Sequence, residues 1–337
     1  MHTLADPAIL FFIFGVLAGL VRSNLEIPPA ISRFLSLYLL MALGLKGGFA
    51  LAHSGLTRDV VTGLSLAVTL AVLVPWLSYS VLSRFLSGFD AAAVAATYGS
   101  VSAVTFITAI GHLESQGIAF GGHMAAAMAL MESPAIVMAV LMASTLRGQQ
   151  AAAVQVGRNG NAALCAGTGP GKAPFSPGKV LHESLTDGTQ LLLLGSMAVG
   201  LLTGDTGKAA MQPFSGDLFK GMLAFFLLDM GLLTARNLPS LKGQSSWLLA
   251  YGLLAPLVHA SLALALCLLA GLPQGDATLL MVLAASASYI AVPAVVRYAI
   301  PEASPSLYVG LSLGLTFPLN ILLGIPLYTA VARWVWA

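Results

Sequence analysis

The chain has 337 residues, 58% of them apolar and only 8% Asp, Glu, Lys or Arg, with a formal net charge of +2 and a mean hydropathy of +0.89. Soluble chains carry roughly a quarter charged residues, so this deficit excludes an ordinary soluble domain and makes the bilayer the solvent for most of the surface. The small net charge and the lack of any basic run exclude nucleic-acid binding, and the lack of apolar/polar alternation excludes a strand barrel.

A spanning helix uses about 20 apolar residues. In chain order the sequence predicts ten such helices, at 7–22, 32–52, 60–84, 91–110, 121–145, 182–203, 213–235, 246–270, 276–299 and 304–335. The stretch from Met1 to Arg22 carries its basic residue after the apolar run, which reads as a first span and not as a signal peptide. Between the fifth and sixth spans, Leu146 to Lys179 is dense in Gly, Pro, Gln and Asn, its charges are Arg147, Arg158, Lys172 and Lys179, and no apolar period survives. It reads as a flexible linker, dividing the chain into 1–145, a cytoplasmic linker 146–181, and 182–337. Cys165 and Cys267 are too few and too distant in sequence for a metal site or a disulfide framework.

The two halves repeat one another. Lys46 in Leu45-Lys-Gly-Gly matches Asp229 in Leu228-Asp-Met-Gly, Pro75 matches Pro256, Ser102 matches Ser288, and Pro134 matches Pro318, all at offsets of 181–186 residues. Five spans in each half force the second half to enter the membrane with the opposite orientation, which is an inverted repeat. With the amino end outside, short inner loops and the linker take ten Lys and Arg residues, Arg22 and Arg84 among them, and the outer side takes four, so the positive-inside rule puts both termini outside.

Inverted repeats place substrate at mid-membrane, where each half contributes a broken helix. The fourth span carries Thr97-Tyr-Gly-Ser-Val-Ser-Ala-Val-Thr and the ninth Ala284-Ala-Ser-Ala-Ser-Tyr-Ile-Ala-Val-Pro, both Ser-rich interruptions of apolar sequence. Broken helices present unpaired N–H groups and a positive dipole end to an anion, and Ser100, Ser102, Ser286 and Ser288 add hydroxyl donors. Small residues also serve close helix packing; the matched pair of motifs favours binding. Glu132, in Met131-Glu-Ser-Pro-Ala, is costly inside a membrane unless it faces a cavity or a partner. Its oxygens suit sodium, with carbonyls released by Pro134 as further ligands; the competing reading is a protonated carboxyl bonded to a neighbouring helix. In the counterpart segment, Thr316 and Asn320 supply neutral oxygens. Lys46 and Asp229 admit either a charge pair or two residues near the membrane faces. His112, His123, His182 and His259 lack metal-ligand spacing and read as loop or packing residues.

These motifs, together with His182-Glu-Ser-Leu and Phe219-Lys-Gly-Met-Leu, resemble the sodium-dependent bicarbonate transporter family first associated with cyanobacterial carbon concentration. The resemblance covers nearly the whole chain. It implies an all-α polytopic membrane protein of about ten helices in two inverted five-helix repeats, with broken helices four and nine crossing. A core domain would move against a gate domain in an elevator-like cycle, within a homotrimer of the bacterial inner membrane, with a PII-like regulatory protein docking from the cytoplasm. The Gly- and Ala-rich linker, poor in acidic residues, argues against that docking here. Carried over residue by residue, the resemblance makes Gly99, Ser100, Val101, Ser102, Ala285, Ser286, Ala287 and Ser288 the candidates for bicarbonate. It makes Ser102, Thr105, Glu132, Ser133, Ser288 and Asn320 the candidates for sodium, the coupling ion, with no organic cofactor.

The rival readings fare worse. Proton exchange wants an ionisable residue at the crossing, which neither motif has. Transport of another small anion or carboxylate, sodium- or proton-coupled, is the alternative within the class. An intramembrane hydrolase built on Ser100 or Ser102 needs a base in reach, and no His lies in spans four or nine; an aspartyl site needs two close carboxylates, whereas Glu132 and Asp229 fall in different halves. A sensor without flux has no evident use for matched broken helices.

Overall fold

The computed structural model describes residues 6–55, 57–156 and 188–337, and among them there are helices and no strands. We number the helices α1 Pro7–Leu20, α2 Pro29–Ser54, α3 Arg58–Leu82, α4 Gly88–Gly99, α5 Ala103–Ser115, α6 Met124–Val156, α7 Gly188–Met211, α8 Phe219–Asn237, α9 Ser246–Ala270, α10 Gln274–Ala285 and α11 Ala291–Ala299. The last segment, α12 Pro305–Val335, is one helical stretch loosened into π-helical turns at Gly310–Thr316 and Asn320–Gly324. Helix starts carry the expected caps: Asp6 Oδ1 accepts the N–H of Ala8 at 2.8 Å with Pro7 in the first turn, and Ser87 Oγ accepts that of Asp90 at 3.1 Å.

Six helical stretches among the described residues are long and apolar enough to cross a membrane. One of them, Gly188–Leu241, is 54 residues long and contains a break at Gly204, whose φ of 52° is open to glycine, and a π-helical turn at Gln212–Asp217. Helix α6 continues to Val156, beyond the boundary at 145 expected from composition. The remainder of the expected linker, the His182 motif and Cys165 lie outside the described residues.

Two kinds of helix surround the centre. α3 and α9 bury only 39% and 33% of their most apolar windows, and Val61, Val68, Trp76, Leu254, Val258 and Leu269 stand exposed on them. Apolar surface on that scale is stable only against lipid or another protein. By contrast, the stretch Gly88–Ser115 that contains α4 and α5 buries 94% of its most apolar window, and every residue of α10 from Gly275 to Ala285 is buried.

A panel of four helices lies to one side, held by glycine-mediated contact. α1 packs along α8 and α2 along α7. A Cβ placed on Gly48 would stand 2.1 Å from the Met197 carbonyl oxygen, and one on Gly15 would stand 2.3 Å from that of Leu228, so these backbones touch. α3 packs on α4 and α6, and α9 packs on α10 and on the first π-helical turn of α12. Of the half-helices, α5 meets the panel, where Lys46 of α2 reaches Glu114.

Candidate functional site

α4, α5, α10 and α11 have 12, 13, 12 and 9 residues. At 1.5 Å per residue, 12 residues reach about 18 Å, short of the roughly 30 Å hydrocarbon thickness. Each pair therefore breaks part-way, and the breaks fall at the serine motifs: Ser100–Ser102 between α4 and α5, and residues 286–290 between α10 and α11.

The two breaks are bonded to each other. Ser102 donates its backbone N–H to Ser286 Oγ at 3.0 Å, and Ser288 donates its N–H to the carbonyl of Thr97 at 2.8 Å. Each break also caps the helix that follows. Ser102 Oγ accepts the N–H and the hydroxyl of Thr105 at 3.2 and 3.0 Å, and Ser288 Oγ accepts the N–H of Val292 at 3.3 Å. The outgoing end of α10 is capped from α12: Asn320 Nδ2 donates to the Ala285 carbonyl at 2.8 Å, while Asn320 Oδ1 accepts the Tyr328 hydroxyl at 3.0 Å. On the α4 side, the Tyr98 hydroxyl and Thr316 Oγ1 pair at 2.6 Å, and Thr316 donates to the Gly252 carbonyl at 2.9 Å.

A cavity of about 80 Å³ opens beside the crossing. Its wall on the crossing side is Val101, Ser102, Ala103 and Val104 from the first break, Ser288 to Ala291 from the second, and Met128 and Glu132 from α6; α2 and α7 close the other side with Ser36, Leu40, Thr189, Gln190 and Leu193. Ala103, Val104 and Ala291 are first-turn residues, whose N–H groups have no intrahelical acceptor. Two helix N-termini, each bearing about half a positive charge, thus share one small space with the serines of both breaks, Ser102 and Ser288. Glu132 faces the same space and accepts from Gln190 Nε2 at 2.8 Å.

An anion and the Glu132 carboxylate in one such cavity repel. Among the described residues no cluster of three or more His, Cys, Asp or Glu side chains forms, and the side-chain oxygens of the residues lining the cavity belong to hydroxyls, one amide and one carboxylate. That donor set suits a hard monovalent or divalent cation.

The structure separates the sequence candidates into two groups. Val101, Ser102, Glu132 and Ser288 line the cavity. Gly99, Ser100, Thr105, Ala285, Ser286 and Ala287 are buried in the crossing itself, where they shape its backbone. Gly99 touches Pro75 so closely that an added Cβ would stand 2.4 Å from the proline ring. The Ser100 hydroxyl is buried with no hydrogen-bond partner among the described residues. Asn320 has both ends of its amide engaged within the protein, as above, and the side chain of Ser133 lies outside the described part of α6. Sequence reasoning did not find Ser36, Thr189, Gln190 or Tyr289. Gln190 carried a usable signal, an amide at the head of the run Leu191-Leu-Leu-Leu.

Lys46 and Asp229 do not pair. Lys46 Nζ sits 2.9 Å from Glu114 Oε1 and 4.0 Å over the Phe219 ring, and Asp229 lies near Ser32 and Arg236. Their matched positions reflect the repeat in sequence, not contact. His112 is buried in α5, His123 Nε2 stands 3.5 Å from Asp276, and His259 Nε2 stands 3.5 Å from Ser78 Oγ.

Residues 7–333 match the family model of the Na+-dependent bicarbonate transporter superfamily. No curated protein matches the chain significantly.

Proposed function

The chain belongs to the Na+-dependent bicarbonate transporter superfamily, a family of transporters and not of enzymes, and from that premise we propose that it moves bicarbonate into the cell together with sodium, by alternating access of the cavity at the helix crossing. One observation carries this reading: the N-termini of α5 and α11, the hydroxyls of Ser102 and Ser288, and the Glu132 carboxylate all face one cavity of about 80 Å³.

The chemistry follows from that arrangement. Bicarbonate is a small planar anion whose oxygens accept hydrogen bonds. The first-turn N–H groups and serine hydroxyls supply donors, and the two dipole ends supply positive potential without a buried Lys or Arg. Sodium, held by Glu132 with Ser102 and Ser288 as neutral oxygens, offsets the charge of the anion. Neither ligand binds well alone, and the coupling is reciprocal: the factor by which sodium tightens bicarbonate equals the factor by which bicarbonate tightens sodium.

The cavity volume bears on the substrate. Some 80 Å³ is well under the 300 Å³ or more of pockets for drug-sized ligands. It suits a small anion. Another small anion, sodium- or proton-coupled, is the second reading, and the same volume admits it.

The transport cycle we propose is elevator-like. The crossing helices and α6, with their outer helices, form the moving core, and the glycine-packed panel of α1, α2, α7 and α8 forms the gate. The halves 1–145 and 182–337 are inverted repeats of five spans. The positive-inside count places both termini on the outer face of a bacterial inner membrane, and by family analogy the assembly is a homotrimer.

The test is uptake of labelled bicarbonate by proteoliposomes with and without an inward sodium gradient, with formate and nitrate as competitors. Sodium-driven uptake with weak competition supports this reading. Stronger sodium-driven uptake of a competitor would move the substrate to that anion.

A further inference from the structure

Gln190 belongs to α7, in the panel, yet it reaches across the cavity. Its Nε2 donates to Glu132 Oε2 at 2.8 Å, and its side chain is 4% exposed. α7 is held rigidly just beyond it: Gly44 and Gly48 of α2 pack against Leu193, Ser196 and Gly200 of α7, with a Cβ on Gly44 placed 2.4 Å from the Leu193 carbonyl oxygen. Gln190 is thus an amide on a closely packed helix, bonded across a small cavity to a carboxylate of α6.

A Glu side chain has three rotatable bonds and loses considerable conformational freedom when it is fixed. A carboxylate has about four acceptor directions, and the amide bond takes one of them while constraining the rotamer. An amide is the fitting partner because it donates without bringing charge. A Lys or Arg at 190 would compete with sodium for Glu132, and a carboxylate there would repel Glu132.

We propose that Gln190 is a positioning residue that holds Glu132 in the rotamer that receives sodium, so that cation affinity depends on a contact made across the cavity from the panel. This rests on the reading of Glu132 as the sodium carboxylate. The consequence is that the sodium site is complete only while α7 and α6 face each other at this level. Displacement of one helix group past the other separates Gln190 from Glu132, and sodium is then held less tightly.

The experiment compares wild type, Gln190→Leu, Glu132→Gln and the double variant in proteoliposomes, with uptake measured as sodium is varied. A second readout is the rise in Tm of each purified protein in sodium chloride over choline chloride, which reports ion binding even where no flux occurs. Loss of one hydrogen bond to a charged group is expected to raise half-saturating sodium about tenfold in Gln190→Leu, more than it lowers the maximal rate, and to shrink the sodium-induced rise in Tm. The double variant is expected to match Glu132→Gln alone in sodium dependence, since the effect of Gln190 on sodium runs through the Glu132 carboxylate. Unchanged sodium dependence in Gln190→Leu by both readouts overturns the inference, as do effects that add in the double variant. Wild type that gains Tm in sodium but takes up no bicarbonate would instead count against the substrate assignment and leave the Gln190 comparison to decide on Tm.

Discussion

Ser286 Oγ receives the backbone N–H of Ser102 at 3.0 Å, joining residues 184 apart in the chain. With the Ser288 to Thr97 bond at 2.8 Å, it ties the two broken helices together at the point where both stop being helical. A crossing made of two loose loops would not present defined donors; this one has its backbone fixed from both halves of the chain. Ser286 is 1% exposed and acts through Ser102, which does line the cavity. In Ser286→Ala the Ser102 N–H loses its acceptor in a buried place, at a cost of about 1–3 kcal/mol. Thermal unfolding should report a lower Tm, and half-saturating bicarbonate should rise in the protein that remains folded. An unchanged Tm would mean that the crossing does not depend on this bond.

Asn320 is expected to act on stability. Its amide donates to the Ala285 carbonyl and accepts from Tyr328, so Asn320→Leu leaves a helix-end carbonyl and a tyrosine hydroxyl buried and unbonded, again at about 1–3 kcal/mol for each group. Tyr328→Phe removes one bond only and should cost less. Melting curves of the two variants give the order. A shift in sodium dependence without loss of stability in Asn320→Leu would instead make Asn320 an ion ligand.

The helix panel makes a sharper prediction. A Cβ on Gly48 would meet the Met197 carbonyl at 2.1 Å, whereas nothing lies within 4 Å of a Cβ on Gly195 of α7. Gly48→Leu should therefore abolish the folded protein, with Gly195→Ala tolerated. Size-exclusion profiles of detergent-solubilised variants check both, and a well-folded Gly48→Leu would refute the close packing of α2 on α7.

The Lys46–Glu114 pair joins α2 to α5 at 2.9 Å with side-chain exposures of 26% and 31%. Pairs this open are worth at most about 1 kcal/mol. A double-mutant cycle on Lys46→Met and Glu114→Gln should give a coupling below that value, shrinking further as salt screens it.

Much of this was legible in the sequence, for physical reasons. Charge scarcity and apolar runs of about 20 residues leave few alternatives to membrane helices, and Ser-rich interruptions at matched offsets located both breaks, since small polar residues in a lipid-facing context need a local reason. Family membership followed from the same motifs. What stayed hidden depends on packing. The sequence could not say that Ser286 would serve as a bond within the crossing while Ser288 lines the cavity, nor that Asn320 would be consumed in capping Ala285. For Lys46 and Asp229 the sequence left a charge pair and two separate residues near the membrane faces equally open, because matched positions in two similar segments carry no information about distance. Gln190 went unnoticed because its partner, Glu132, is 58 residues away in the chain and only the fold brings the two together.

The most direct measurement is uptake of labelled bicarbonate into proteoliposomes at a pH where bicarbonate predominates, comparing wild type with Glu132→Gln under an inward sodium gradient and under an equal potassium gradient. Accumulation driven by sodium in wild type, absent with potassium and lost or made sodium-independent in Glu132→Gln, is the predicted result. Equal uptake under both gradients, or sodium-driven uptake untouched by Glu132→Gln, would contradict the assignment of the cavity at the helix crossing as the coupled site.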